Sequence, residues 1–192
     1  MANHDSIYCP NCRKHTNLIN RGRYNVSGPL AVEIGECNSC SFFLLVHRAG
    51  SNIIETHPKA LPRPVDERIP EVIASDFKEA LNCFSVNAYR AASVMARRAI
   101  QTICLEKGAP KGKKLSEQID WLFDNRVITT DLQGWAHEVR FIGNDGAHPD
   151  LDDPNPVSRN DALDILDLFD EFAKVLYVAP AIAEERRKLR TA

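Results

Sequence analysis

Four cysteines dominate the first fifty residues. Cys9-x-x-Cys12 and Cys37-x-x-Cys40 stand 24 residues apart. Two residues between cysteines allow a tight knuckle whose sulfurs lie on one side. Two such knuckles facing each other complete a tetrahedron of soft thiolates suited to zinc. A segment this short has too little core to fold alone, so a metal would supply the missing free energy. The competing readings are a disulfide pair and chance spacing. Paired cysteines in a reduced compartment favour the metal. We therefore expect one structural zinc ion per chain, held by Cys9, Cys12, Cys37 and Cys40. With four thiolates bound its shell is closed, which leaves no place for a catalytic water. His15 and His47 are nearby substitutes, each expected on the surface.

Composition narrows the setting. No stretch approaches the roughly 18 consecutive apolar residues that a membrane span needs. The start, MANHDSIYCP, lacks the basic and apolar regions of a signal peptide. The expectation is a cytoplasmic protein without membrane contact. Net charge is -2 and the sequence pI about 6.3. Residues 1–60 carry six Lys/Arg against four Asp/Glu, and the rest 18 against 22. Four zinc-bound thiolates contribute about -2, so the first segment ends near neutral. A broad basic face for nucleic acid is excluded, and any RNA contact must be local.

The pattern divides the chain into three parts. Residues 1–57 hold short β-type runs at Val32–Ile34, Phe42–Val46 and Ile53–Ile54, with a hairpin turn at Ala49–Asn52. This is the zinc ribbon. Residues 58–70 carry Pro58, Pro62, Pro64 and Pro70 and read as an extended, stiff linker. Residues 71–192 turn helical. Val72, Ile73, Phe77, Ala80, Leu81 and Phe84 form one stripe, and a longer helix runs from Asn87 to Lys107, stopped by Gly108. A third helix covers Leu115–Asn125. Thr130-Asp-Leu-Gln133 reads as a capping box for a fourth, and Ser158–Asp161 as one for a fifth. Pro180 should kink or end that last helix, leaving a loose charged tail. Cys83 and Cys104 fall on apolar stretches and are expected as small core residues. The fold class is α+β, a small β zinc ribbon followed by an all-α bundle.

A second string carries chemistry. Arg140, Asn144 and His148 recur every four residues and share one helix face, with Pro149 placing His148 at the helix end. Gly143 and Gly146 let a ligand or another backbone approach. An arginine, an amide and a histidine on one face could bind phosphate and move a proton from a 2′-hydroxyl. The plainer reading is a polar helix end packed on its neighbour. Arg90, Arg97 and Arg98 read as a solvated face, but Arg98 lies close to the Ala-rich side and could turn toward the fourth helix.

The strings Ile69-Pro70, Asp76–Ala80, Ala88–Ala99 with Arg97-Arg98, Lys113–Leu115 and Arg140–His148 resemble a bacterial helical domain of unknown function. That domain often follows a zinc knuckle or ends a restriction-type nuclease, and it is grouped with the HEPN superfamily (higher eukaryotes and prokaryotes nucleotide-binding domains). The resemblance covers residues 69–178. It implies a HEPN-like bundle of four or five helices, a homodimer through that bundle, and a setting in antiphage defence or restriction. It also implies a metal-independent ribonuclease site with His148 catalytic and Asn144 or Asp145 beside it. Here seven residues separate Arg140 from His148, one more than the motif admits. Either Arg140 serves from a turn further back, or Arg98 supplies the guanidinium, or the site is no nuclease. The expected function is thus a zinc-binding, non-enzymatic adaptor whose ribbon takes a protein partner. The alternative is an endoribonuclease using His148 with Arg140 or Arg98.

Overall fold

The computed structural model describes residues 6–12, 14–59, 63–147 and 157–191, with the backbone alone at 140–147 and 191. The chain divides after Pro64 into two units, and the class is α+β.

The first unit is a five-stranded antiparallel sheet curled into a half-barrel. Its strands are β1 (Ser6–Tyr8), β2 (His15–Ser27), β3 (Leu30–Cys37), β4 (Phe43–Ala49) and β5 (Asn52–His57), each paired with the next. Register shifts at Asn20/Gly22, Asn25/Ser27 and His47/Arg48 insert extra residues, and such bulges bend and twist a strand. Side chains alternate across the pleat. Ala31, Glu33, Gly35 and Cys37 of β3, with Leu44, Val46 and Arg48 of β4, are buried on the inner side. Leu30, Ile34, Phe43 and Leu45 face outward and are exposed. Gly35 is a packing device: a Cβ there would lie 3.0 Å from Leu18 Cδ1 and 3.1 Å from Val46 Cγ2. Gly50, at φ +61°, closes the β4–β5 turn and donates its N–H to the Pro29 carbonyl at 2.7 Å.

The expected strand cores at Val32–Ile34 and Ile53–Ile54 sit inside β3 and β5, and the Phe42–Val46 run lies largely within β4. The 13-residue β2 was illegible because its exposed, polar sequence HTNLINRGRYNVS breaks alternation at a bulge. The extended linker also needs correction at its end. Asp66 accepts the Arg68 N–H at 2.9 Å and Ile69 donates to the Asp66 carbonyl, so this stretch turns, and Ile69 is buried.

The second unit contains α1 (Glu71–Ser85), α2 (Tyr89–Glu106), α3 (Leu115–Asp124), α4 (Thr130–Ala147), α5 (Arg159–Ala173) and α6 (Ala179–Thr191). α2 is central, packing against α1, α3, α4 and α5. Its buried face is mostly small (Ala92, Ser93, Ala96, Ala99), which lets four neighbours approach one helix. Ile100 and Ile103 of α2 are also fully buried, and aromatic rings come from the neighbours: Phe77 of α1 stacks on Phe169 of α5 with ring centres 3.7 Å apart. Gly108 takes φ +101° and donates to the Leu105 carbonyl while Ala109 donates to that of Cys104, a Schellman ending for α2.

The α1 stripe runs through Ile73, Ala74, Phe77, Ala80, Leu81 and Phe84, and Val72 is exposed. At 3.6 residues per turn Val72 lies about 100° off that stripe. The α4 cap is one residue earlier than expected: Thr129 Oγ1 accepts the Leu132 N–H at 3.3 Å, while the Gln133 amide reaches Asp120. The Ser158/Asp161 capping box is present, with bonds of 3.2 and 2.8 Å. Pro180 does not end the last helix. α5 passes through a π turn at Lys174–Val178 and continues as α6. The wider turn inserts an extra residue just before the proline, which has no N–H to give. The turn also buries Tyr177, whose hydroxyl donates to Glu106 at the end of α2. The tail is helical because its Ala, Glu, Arg, Lys and Leu residues favour helix, helped by Glu184–Lys188 at 2.8 Å. No described helix is long and apolar enough to cross a membrane.

Candidate metal centre

The two Cys-x-x-Cys pairs occupy the turns β1–β2 and β3–β4, at one end of the sheet. Each turn is closed by backbone bonds that aim its sulfurs inward. Cys9 N–H donates to the Lys14 carbonyl at 3.0 Å, and Cys37 N–H to that of Phe42 at 2.9 Å. In the second knuckle, Ser41 takes φ +57° and donates to the Cys37 carbonyl at 2.8 Å, while Ser39 N–H points at Cys37 Sγ from 3.4 Å. Asn38 donates to the Asn17 carbonyl, and Ser39 Oγ to Thr16 Oγ1, anchoring this knuckle to β2.

All four sulfurs lie within 4.8 Å of one another. Cys9 and Cys40 are 3.8 Å apart, as are Cys12 and Cys37. A disulfide requires about 2.05 Å, so these are open thiol pairs. A tetrahedral ion with metal–sulfur bonds of about 2.3 Å requires edges of about 3.8 Å. The observed pairs have that length. Cys9 and Cys37 are fully buried and Cys12 and Cys40 half-buried. Burial pushes the Cys9 thiol up to about 12, whereas the Asn11 amide, 3.6 Å from Cys40 Sγ, holds that thiol down at about 6. Among the described residues the cluster is purely sulfur. His15 packs against Tyr8 and His47 against His57, each with ring centres 5.2 Å apart, and neither joins the cluster. Four cysteine sulfurs at this spacing can hold a metal ion.

The sequence drew attention to a second set, Arg140, Asn144, His148 and Arg98. Arg140 and Asn144 lie on α4, one turn apart, but their side chains lie outside the described residues, as does His148 altogether. Arg98 is described. It is largely exposed and its Nε donates to Asp76 Oδ2 of α1 at 3.1 Å, rather than turning toward α4. Cys104 is buried, which pushes its thiol up to about 12; Cys83 is half-buried and also raised.

Two polar clusters escaped sequence reading. Glu33 on β3 bridges Arg48 at 2.5 Å and Arg23 at 3.1 Å on the inner side of the sheet, with Arg48 and Glu33 both buried. Asp120 on α3 takes bonds from Gln133 and His137 of α4, each at 2.7 Å. The only available signal for the second was the four-residue spacing of Gln133 and His137. Each cluster ties neighbouring elements together.

No curated protein and no solved structure matches the chain. A family model does, over residues 78–191, from within α1 to the end of α6. That span is more than half of the chain, and it follows the cysteine-clustered sheet. The chain thus belongs to the family described as "Domain of unknown function (DUF4145)".

Proposed function

We propose that the protein is a zinc-stapled, non-enzymatic binding module: a zinc ribbon that docks a protein partner, carried on a HEPN-like helical domain. The observation that supports it best is the all-sulfur cluster, its four sulfurs within 4.8 Å of one another and two of its edges 3.8 Å. Soft thiolates at tetrahedral spacing favour zinc over hard cations, and four of them close the shell. When bound, the ion supplies folding free energy and fixes the two turns. Chemistry at an open metal position is not part of this reading. Near-neutral charge in residues 1–60 favours protein contacts over generic nucleic-acid binding. The test is metal analysis of the purified full chain. One zinc per chain is expected, lost in Cys37→Ser. A metal-free chain with a folded sheet refutes the reading.

A second reading rests on the helical backbone of α4, which runs through Ala147 and keeps Arg140 and Asn144 one turn apart. With His148 as proton carrier, and Arg140 or Arg98 on the phosphate, the domain would cleave RNA without metal. We rank it second because Arg98 is engaged by Asp76 and seven residues separate Arg140 from His148. RNA cleavage by the wild type, abolished in an equally folded His148→Ala, would reverse that ranking.

A further inference from the structure

The outer face of the sheet is apolar where a solvated face is usually polar. Ile19 and Tyr24 of β2, Leu30 and Ile34 of β3, and Phe43 and Leu45 of β4 are all exposed. The register joins them into one surface. Ile34 lies opposite Leu45, Val32 sits between Tyr24 and His47, and Glu36 sits between Ile19 and Phe43. Among the described residues, eight of the thirteen large exposed apolar side chains fall in the first unit, a third of the chain. Scattered single residues are ordinary; a contiguous patch of several hundred Å² marks an interaction site.

Charge and area indicate the occupant. Arg21 at the edge of the patch is held by Glu36 at 2.5 Å, and Glu55 on β5 meets His57 at 3.2 Å and Lys59 at 2.9 Å. These charges are neutralised within the chain. A strongly charged partner would lose hydration here with little to pair against, whereas an identical surface meets no like-charge penalty. The exposed fractions of the six side chains together equal about three whole ones, or roughly 500 Å² at ~150–250 Å² each. Two copies would bury about 1,000 Å², near the lower limit for a specific interface.

We propose that this outer face is a self-association surface on which a second copy of the chain packs sheet against sheet about a two-fold axis. This rests on the reading of the metal-held sheet as the docking part of the protein, and it makes the chain itself the partner. Aligned packing of two twisted sheets is a standard layer arrangement. The modest area makes the dimer concentration-dependent, with Kd on the order of micromolar.

The experiment is sedimentation velocity on the full zinc-loaded chain over roughly 1–200 μM, a range bracketing that Kd. Wild type should pass from monomer to dimer. Ile34→Lys and Leu45→Lys, opposite each other in register, should each weaken the dimer by about tenfold or more. Phe43→Ser provides a milder variant, and unchanged zinc content certifies that each sheet is folded. Val72→Lys, an exposed position on α1, should leave association as it is. A wild type monomeric throughout the range overturns the proposal. So does a dimer indifferent to all three sheet variants, since its interface then lies elsewhere. Either result leaves the zinc-staple reading standing, because metal analysis tests that separately.

Discussion

Replacing Cys37 by serine removes one of the two fully buried sulfurs of the cluster and should unfold the sheet unit alone. Apart from the cysteines, the buried apolar side chains of that unit among the described residues are Ala31, Leu44 and Val46. Burying Leu44 and Val46 is worth about 1.5–3 kcal/mol each, so about 3–6 kcal/mol together. Structural zinc in small domains supplies about 10–16 kcal/mol at neutral pH. A bound zinc would therefore exceed the largest apolar contributions roughly two- to fivefold, and a weakened site would leave the sheet without its main support. The helical unit has its own core around Phe77, Phe169 and Phe172 and should not respond. The assay is a two-dimensional amide NMR spectrum of the full chain, paired with zinc measured per chain. In Cys37→Ser, amides of 15–57 should collapse to the narrow range of unfolded chain, zinc should fall well below one per chain, and helical resonances should stay in place. A variant that keeps dispersed β-strand amides without bound metal refutes the reasoning, because the apolar contacts would then suffice.

Glu33→Gln removes the carboxylate charge shared by the buried Arg48 and by Arg23, and should cost about 3–5 kcal/mol in urea unfolding of the sheet. The apolar pair Glu33→Leu with Arg48→Met should recover most of that loss; equal damage in both would mean the ion pair is not the cause. Ser158→Ala deletes the α5 cap and should lower stability by about 1 kcal/mol, read as a Tm lower by about 3–5 °C. Phe77→Ala and Phe169→Ala should each cost about 3–5 kcal/mol. Because the rings stack, the double variant should lose about 0.5–1.5 kcal/mol less than the sum. Strict additivity would show that the stacking carries no coupling.

Local chemistry was the legible part of this chain. The two Cys-x-x-Cys pairs announce a four-sulfur site because two-residue spacing dictates a knuckle whatever surrounds it. Gly108 and the Ser158/Asp161 box mark helix ends for the same reason, since caps are satisfied within a few residues. Helical periodicity and cap-like strings located α1 to α5, with Val72 wrongly assigned to the α1 stripe. Tertiary structure decided everything that depends on residues far apart in sequence. β2 is a strand because β1 pairs with its first three residues and β3 with the rest, an arrangement its polar sequence does not encode. Pro180 continues a helix because a π turn and the buried Tyr177 precede it. Arg98 points to Asp76, 22 positions away, because α1 packs against α2. The outer face of the sheet gathers Ile19, Ile34 and Leu45 from three strands, and only their register makes scattered apolar residues into one patch. Short-range chemistry fixes ligands and caps, while pairing and packing decide which side chains meet.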